Sequence, residues 1–326
     1  MKICIDLTIN ETYTGIGQVA NKYLKELENL ESTRIIKYGK KNSGEFDFEF
    51  SSYYNLYAHF RFYLFLLKLK PDAIIIPHYF IPFFIPSKIK IYSVVHDVMA
   101  IKNSDVFFGS FSKIKSLILL MLLKYNFCCR KNITIITPSY SVSYDVKKMF
   151  NKKTIVIPNG QFELNNRKSK KKENYFLYIG NARKHKNQLS LFAFFNSQEF
   201  SKLKVVSEIF PIPIFRNIEF LGKLNSKNEI VELLEKSRGV IMPSFCEGFG
   251  LPIIESLLFS GKAYSSDIEV FKEFYGLNID YFDPNNLSQL MLTLNPVPQI
   301  IPRSTMEISN LFKWQELKYF FKNEFL

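Results

Sequence analysis

Short apolar segments alternate with amphipathic segments along most of the chain. Residues 2–7 form an apolar run typical of a buried strand, and a polar loop with Gly15 and Gly17 is expected after it. Apolar positions at helical spacing then occur between residues 19 and 27. The same alternation predicts strands at 35–38, 73–76, 91–95, 133–137 and 154–157, and helices at 53–69, 112–128 and 141–150. Strands that alternate with helices in this way favour a parallel, doubly wound sheet.

A second series of the same kind begins at residue 175. It predicts strands at 175–179, 205–206, 218–220, 239–242 and 263–265, a helix at 252–259 and a last amphipathic helix at 311–321. Residues 167–172, RKSKKK, are polar and basic, and they are expected to link the two halves. The sequence therefore predicts an α/β protein with two doubly wound domains.

Composition and charge narrow the possible partners. The chain has 326 residues, of which 47% are hydrophobic, so it can bury two cores and is not a disordered chain. Its net charge is +13, and residues 1–165 carry 22 basic and 13 acidic side chains. This excess favours an acidic partner: nucleic acid, anionic lipid or a phosphorylated small molecule. A nucleic-acid-binding protein is the non-enzyme alternative, although the aromatic residues lie in apolar runs and no nucleic-acid motif is present.

Cysteines and apolar stretches bear on the location of the protein. The four cysteines form no C-x-x-C pair, which favours a reduced, cytoplasmic setting. The amino terminus does not resemble a signal peptide, and the longest apolar stretches, 73–86 and 116–123, are shorter than a membrane span. The four histidines are widely scattered and no Asp-x-Asp occurs, so no metal site is expected.

Residues 242–262, MPSFCEGFGLPIIESLLFSGK, carry the most informative chemical pattern. A strand is followed by a loop with Gly248 and Gly250, and then by a helix whose first turn tolerates Pro252. Glycine-rich backbone that enters a helix directs several N–H groups and the helix dipole to one point, which suits a phosphate. Glu247 and Glu255 flank this point and can face one cleft at the carboxyl ends of the strands.

Residues 178–187, YIGNARKHKN, also follow a predicted strand. Gly180 allows the chain to turn close to a ligand, and Arg183, Lys184 and Lys186 bring positive charge to the same loop. Together with the glycine loop, these cations predict a nucleotide diphosphate between the two domains. Arg or Lys there would neutralise the charge on a departing diphosphate.

These segments resemble the retaining glycosyltransferases of family 4, which have the GT-B fold. Glu247 and Glu255 match the E-x7-E signature, and Lys186 lies in the loop that holds the donor phosphates. Further matches follow in the family's order: TGIGQVANKYLKEL (14–27), VVHDV (94–98), TPSYSVSYDV (137–146), IPNG (157–160), the region 265–284 and FKWQELKYFF (312–321). The resemblance covers nearly the whole chain.

The resemblance implies a division of labour between two Rossmann-like domains that face a central cleft. Residues 1–165 would bind the acceptor, and residues 166–310 would bind the nucleotide-sugar donor. The closing helix, 311–326, would pack back on the first domain.

The resemblance also implies roles for single residues. Glu255 would bind the donor ribose, Glu247 would contact the sugar near the reacting carbon, and Lys186 would hold the diphosphate. Further contacts with the donor are expected from Gly15, Gly17, His96, Gly248, Phe249, Gly250 and Leu251. Many members carry Arg at the position of Asn181, and Arg183, two positions on, is the candidate substitute.

The implied activity is transfer of a hexose, with retention, from a nucleotide-diphosphate sugar to a growing cell-surface polysaccharide such as O-antigen, capsule or lipopolysaccharide. The acceptor is expected to be lipid-linked, and the chain is expected in the cytoplasm, on an anionic membrane surface. No metal or cofactor is implied besides the donor.

Two other enzyme classes are alternatives to a retaining glycosyltransferase. The nearer is another GT-B enzyme, such as a nucleotide-sugar epimerase or a phosphorylase. An NAD-dependent oxidoreductase is disfavoured, because the loop before the G-x-G-x-x-A match at residues 15–20 is too long and no acidic residue ends the second strand.

Several other polar residues are assigned structural roles. His59 and His78 lie in apolar surroundings and are expected to pack in a core, whereas His185 is expected to be exposed. Ser139 or Ser141 is expected to cap a helix, since no nucleophile-elbow motif surrounds them. Cys246 is not expected to act as a nucleophile.

Overall fold

A computed structural model describes the chain in two compact units. The described residues are 1–9, 14–31, 33–40, 45–50, 55–102, 112–160, 171–197, 201–207, 215–224, 226–260, 262–276, 279–294 and 314–326. The first unit holds Met1–Lys102, Lys113–Asn159 and Trp314–Leu326, and the second holds Asn103–Ser112 and Gly160–Lys313. The predicted boundary between residues 165 and 166, and residues 167–170 of the predicted linker, lie outside the described residues.

The first unit is built on a parallel sheet, which has seven strands in the described part of the chain. They are β1 (Lys2–Asp6), β2 (Arg34–Gly39), β3 (Phe48–Glu49), β4 (Ala73–Ile76), β5 (Lys90–Val94), β6 (Ile133–Thr137) and β7 (Ile155–Val156). Their order across the sheet is β3-β2-β1-β4-β5-β6-β7, so the direction of winding reverses between β1 and β4. Open α/β sheets bind ligands at the carboxyl side of such a reversal.

The second unit repeats this topology. Its described strands are β8 (Tyr175–Ile179), β9 (Lys202–Val206), β10 (Ile218–Gly222), β11 (Val240–Met242), β12 (Ala263–Ser266) and β13 (Asp280–Phe282). They are all parallel, in the order β10-β9-β8-β11-β12-β13, and the winding reverses between β8 and β11. The prediction of two doubly wound α/β sheets is therefore confirmed.

Helices connect the strands in both units. In the described residues they are α1 (Gly15–Glu28), α2 (Leu56–Leu69), α3 (Met99–Lys102), α4 (Ser112–Lys124), α5 (Tyr140–Phe150), α6 (Gln188–Asn196), α7 (Lys227–Lys236), α8 (Leu251–Phe259), α9 (Glu269–Tyr275), α10 (Gln289–Leu294) and α11 (Gln315–Phe325). The segment predicted as one helix up to residue 128 changes after α4 to a π-helix, Tyr125–Cys129.

Side-chain caps fix where several of these helices begin. The hydroxyl of Thr14 accepts the Gly17 N–H at 3.0 Å, so α1 starts at Gly15. Ser139, rather than Ser141, caps α5 by accepting the Val142 N–H at 3.1 Å. Asn55 caps α2 in the same way, and the predicted start of that helix at residue 53 lies outside the described residues.

The last helix, α11, packs within the first unit. Its Leu317 and Phe321 are buried on one face, where Phe321 meets Tyr23 of α1 with ring centroids 5.5 Å apart. Glu324 pairs with Lys90 at 3.2 Å and also accepts a hydrogen bond from the Tyr92 hydroxyl. An apolar face and two polar anchors thus fasten α11 to α1 and β5.

Candidate functional site

In the second unit, two polar loops leave neighbouring strands at the reversal of the sheet. β8 ends at Ile179 and β11 ends at Met242, and the two strands pair in parallel through Leu177 and Val240. The loop after β8 carries Lys186, and the loop after β11 carries Glu247. The topology therefore brings together residues that lie 61 positions apart.

Lys186 and Glu247 form a direct ion pair. The Lys186 Nζ lies 2.5 Å from the Glu247 Oε1, and the two side chains are 17% and 8% exposed. The buried Ser244 hydroxyl donates to the same carboxylate oxygen at 2.7 Å. Because the pair is largely shielded from water, its electrostatic interaction is stronger than that of a surface pair. Ser244 was not among the predicted site residues.

Backbone hydrogen bonds join the same two loops. The Phe245 N–H donates to the carbonyl of His185 at 2.8 Å. His185 is the middle residue of a short 3-10 turn, Lys184–Lys186. Asn187 then takes up the left-handed conformation, with φ of 50°, and its side chain donates to the Pro284 carbonyl at 2.8 Å. These bonds fasten the loop that carries Lys186 to the segments that follow β11 and β13.

The predicted exposure of His185 is wrong. Its side chain is only 4% exposed, because the hydrogen bond with Phe245 draws this turn against the neighbouring loop. Burial, helped by the adjacent Lys186, lowers the pKa of His185 to about 4. The imidazole is therefore neutral and contributes no positive charge to the site.

The glycine loop meets α8 at Gly250, which has φ of +93°. A Cβ at this position would lie 2.5 Å from the Phe271 ring, so both the backbone and the packing require glycine. The buried Tyr275 hydroxyl donates to the Gly250 carbonyl at 3.1 Å. Pro252 lies in the first turn of α8, as predicted. Phe271 and Tyr275 of α9 thus support the loop, and neither was predicted to do so.

Glu255 lies in α8, eight residues after Glu247. Burial raises the pKa of Glu255 to about 7, and Lys227, at the start of α7, opposes this shift. Burial likewise lowers the pKa of Lys227, against the influence of Glu255. Lys227 is thus an electrostatic partner of Glu255 that sequence reasoning missed. In the sequence, this role of Lys227 is indicated only by the position of the residue in the first turn of a helix. Solvent-exposed lysines often occupy the same position.

The exposed Arg183 contrasts with the half-buried Lys186. Its backbone N–H donates to the Asn181 side-chain oxygen at 3.3 Å. Asn181 therefore has a turn-forming role. Gly248 and Phe249 lie between Glu247 and Gly250, with Phe249 buried, and Leu251 is the first residue of α8.

The remaining predicted residues belong to the first unit. Gly15 and Gly17 lie in the first turn of α1, although a loop was predicted there. His96 follows β5, and its Nε2 lies 2.8 Å from the Pro77 carbonyl oxygen. Burial lowers the pKa of His96 to about 4. The neutral ring therefore donates its Nε2 hydrogen to Pro77, which leaves Nδ1 as an acceptor.

His78 and His59 are both buried, as the packing prediction requires. His59 packs between the rings of Phe50 and Phe83. His78 has a further role that the prediction missed, since its Nε2 lies 3.2 Å from the Asp6 carboxylate at the reversal between β1 and β4.

Within the described ranges, no three His, Cys, Asp or Glu side chains come close enough together to hold a metal ion. Among the helices that the structure describes, none combines the length and the apolar character needed to cross a membrane. A cavity of about 290 Å³ lies between α7 and the sheet, where its lining includes Tyr175, Lys204 and Leu221.

Comparison with known proteins relates the chain to sugar-transferring enzymes. No protein-family model matches the sequence. The chain is 26% identical over 223 residues to the O-antigen chain mannosyltransferase RfbU of Salmonella typhimurium, a match that covers 63% of this chain and 60% of that protein. The chain thus spans about three-fifths of the length of this curated relative.

Solved structures match the chain over nearly its full length. Sucrose-phosphate synthase from Thermosynechococcus elongatus superposes with a TM-score of 0.76 at 12% identity, covering 99% of this chain and 98% of that one. The catalytic domain of starch synthase IV from Arabidopsis thaliana, bound to ADP and acarbose, gives 0.65 at 12% identity, with 99% and 98% covered. These likenesses confirm the prediction of the GT-B type of fold, with two Rossmann-like units.

Proposed function

We propose that the chain is a retaining, metal-independent glycosyltransferase that moves a hexose from a nucleotide-diphosphate sugar to a lipid-linked cell-surface polysaccharide. The Lys186–Glu247 pair at the sheet reversal, beside the amino end of α8, is the observation that supports this most directly. A diphosphate needs cationic and N–H partners, whereas sugar hydroxyls need acceptors, and this site offers both. The similarity to an O-antigen mannosyltransferase supports the polysaccharide class.

In the proposed reaction, the bond between the anomeric carbon and the diphosphate oxygen breaks. The acceptor hydroxyl forms the new bond on the same face of the sugar, and its proton passes to the departing diphosphate. Lys186 and the positive end of the α8 dipole stabilise the negative charge on that diphosphate, and Arg183 assists from the exposed side of the loop. This positive potential takes the place of a metal ion.

The remaining candidate residues hold the donor. Glu255, once ionised, accepts hydrogen bonds from the ribose hydroxyls, and Glu247 contacts the sugar near its reacting carbon. The backbone of Gly248, Phe249, Gly250 and Leu251 approaches the sugar and phosphates. The resemblance to family 4 supports two further proposed roles, a contact of His96 with the transferred sugar and a close approach of Gly15 and Gly17 to the donor.

We also propose that α2 attaches the protein to the anionic inner face of the cell membrane, where a lipid-linked acceptor is found. Leu56, Tyr57, Phe60, Leu64 and Leu67 share one face of α2 and are 43–67% exposed. The exposed cations Arg61, Lys68 and Lys70 lie beside this face. An apolar face bordered by cations is typical of a helix that lies in the interface of an anionic bilayer.

Donor binding can be tested by thermal unfolding in the presence of UDP-, GDP-, dTDP- and ADP-sugars. A donor at 100 times its dissociation constant stabilises the folded state by about 2.7 kcal/mol and raises the melting temperature. Lys186→Met should reduce this stabilisation to about 0.4–1.4 kcal/mol, as a 10- to 100-fold loss of affinity requires. Lys184→Met, an exposed lysine of the same turn, should retain it. The proposal fails if no nucleotide sugar stabilises the protein, or if the transferred sugar shows the inverted anomeric configuration by NMR.

A further inference from the structure

A buried polar cluster lies at the reversal of the first sheet, between the ends of β1 and β4. The carboxylate of Asp6 accepts hydrogen bonds from the Thr8 N–H at 2.8 Å and from the Thr8 hydroxyl at 2.7 Å. Its second oxygen lies 3.2 Å from the Nε2 of His78. All three residues are at most 4% exposed, so this arrangement must be maintained by its internal hydrogen bonds.

The hydrogen bonds of His78 define the position of its ring hydrogen. The Phe80 N–H donates to Nδ1 of His78 at 3.1 Å. A backbone N–H can only donate, so Nδ1 carries a lone pair and the ring hydrogen is on Nε2. That hydrogen faces the Asp6 carboxylate and the Thr8 hydroxyl, which lies 3.3 Å from Nε2. Asp6 thus stabilises one tautomer of His78.

The same cluster is connected to His96 through one peptide unit. The carbonyl of Pro77, which accepts the Nε2 hydrogen of His96 at 2.8 Å, is bonded to the backbone nitrogen of His78. The next carbonyl, that of His78, accepts the Ser93 hydroxyl at 2.9 Å. The contacts of the His78 ring with Asp6 and Phe80, together with the Ser93 bond, therefore hold the residue next to the carbonyl that accepts the His96 hydrogen.

We infer that Asp6 and His78 are positioning residues that hold the His96 imidazole with its hydrogen on Nε2 and its Nδ1 free to accept a hydrogen bond from the transferred sugar. This inference rests on the proposed function for the contact between His96 and the transferred sugar. The coupling between the three residues is a property of the first unit alone. In many proteins a buried carboxylate orients a histidine by accepting a hydrogen bond from one of its ring nitrogens. Here Asp6 orients His78 in this way, and the peptide unit between Pro77 and His78 connects this pair to His96.

The ring-nitrogen chemical shifts of the four histidines report this coupling directly in ¹⁵N-labelled full-length protein. In the wild type, His78 and His96 should both be neutral, with the hydrogen on Nε2. Asp6→Asn should place an amide N–H opposite His78, reverse the His78 tautomer and break the Phe80 bond. His96 should then show a mixture of tautomers. Turnover should fall by between about 10- and 100-fold, as expected for a misplaced reacting group, while the dissociation constant of the nucleotide stays unchanged.

His59→Gln is the matched control. His59 is also buried, and its Nδ1 also accepts a backbone N–H, that of Phe83 at 3.2 Å, so its loss perturbs the same unit to a similar extent. The His96 tautomer should not change in this variant. A thermal melt confirms that each variant is folded.

Two outcomes would overturn the inference. One is a folded Asp6→Asn variant in which His96 retains a single Nε2–H tautomer. The other is a wild-type protein in which His78 carries its hydrogen on Nδ1. This second measurement needs no variant, so it tests the inference even if Asp6→Asn does not fold. Failure of the wild type to transfer any sugar would refute the proposed function instead, because the tautomers are measured without a donor.

Discussion

The Glu247 carboxylate compensates the positive charge of Lys186 through a direct ion pair. One oxygen, Oε1, lies 2.5 Å from the Lys186 ammonium and 2.7 Å from the Ser244 hydroxyl that donates to it. A diphosphate that binds Lys186 must compete with this carboxylate. Removal of the Glu247 charge should therefore affect nucleotide binding and catalysis in opposite directions.

Glu247→Gln tests this relationship with little change of side-chain size. Affinity for the nucleoside diphosphate should stay the same or increase, because Lys186 is released, while turnover should fall by roughly 100-fold because the contact with the sugar is altered. Isothermal titration and steady-state kinetics measure the two effects separately. Normal turnover in the folded variant would remove Glu247 from the active site.

Lys186 and Arg183 should contribute unequally to diphosphate binding. A hydrogen bond to a charged group contributes about 1.5–3 kcal/mol when it is shielded, so Lys186→Met should weaken nucleotide binding by roughly 10- to 100-fold. Arg183→Met should weaken it only a few-fold, since water screens an exposed charge. Titration of both variants with the same nucleotide checks the ranking, and equal losses would contradict it.

The structure explains why the sequence predicted some parts of this site and missed others. Gly250 and Pro252 act through their own backbone, so the glycine loop and the start of α8 could be recognised locally. Ser244 and Tyr275 act through hydrogen bonds whose acceptors are fixed only by the tertiary fold. The burial of His185 likewise depends on a backbone bond from Phe245, 60 positions away in the chain, that no local pattern indicates.

In the first unit, too, the roles of two glycines and a histidine depend on contacts that local sequence patterns do not indicate. A G-x-G pattern suggested a loop, but Thr14 caps α1 early enough for both glycines to lie inside the helix. His78 occurs in an apolar run and was assigned to packing, while its partner Asp6 lies 72 residues earlier. The alternation of strands and helices, by contrast, depends on short-range periodicity, and it predicted both sheets.

Nucleotide affinity should depend on pH through Glu255, whose pKa is raised by burial to about 7. Only the ionised carboxylate accepts hydrogen bonds from both ribose hydroxyls, so affinity should rise as the pH increases from about 6 to 8. Glu255→Gln should bind weakly and show a flat profile. Lys227→Met should move the profile to higher pH, because Lys227 is the cation that opposes the shift.

The same carboxyl should affect folding stability with a defined sign. Its pKa is higher in the folded state, about 7, than the ordinary value of 4.5, so the folded protein binds more protons between these values. This contribution to the free energy of unfolding therefore falls as the pH rises from about 4.5 to 7. Urea unfolding at several pH values should show the decrease in the wild type and not in Glu255→Gln. A decrease of equal size in the variant would assign it to other groups.

Gly250→Ala should destabilise the second unit more than Gly276→Ala does. Both glycines have positive φ, but a Cβ at Gly250 would lie 2.5 Å from Phe271, whereas a Cβ at Gly276 would meet nothing within 4 Å. Backbone strain should cost about 1–2 kcal/mol at Gly250, in the left-handed helical region, and about 1–3 kcal/mol at Gly276, whose ψ of −121° lies outside that region. Overpacking should add roughly 1–3 kcal/mol at Gly250 alone. Chemical unfolding measures the difference, and equal losses would show that Phe271 moves aside without cost.

The exposed face of α2 should determine attachment to anionic membranes. Replacing Phe60 and Leu64 together by Ser removes two side chains that are about half exposed, each of which could bury apolar area worth on the order of 1 kcal/mol in a bilayer. Binding to vesicles that contain phosphatidylglycerol should then fall by roughly tenfold or more in a sedimentation assay. Leu189→Ser, at an isolated leucine of α6 that is 67% exposed, should have no effect.

Charge reversal at Lys68 and Lys70 should weaken vesicle binding chiefly at low salt, since screening already reduces the contribution of these two charges at high salt. If the Phe60 and Leu64 double variant bound vesicles as the wild type does, α2 would not be the membrane-binding element.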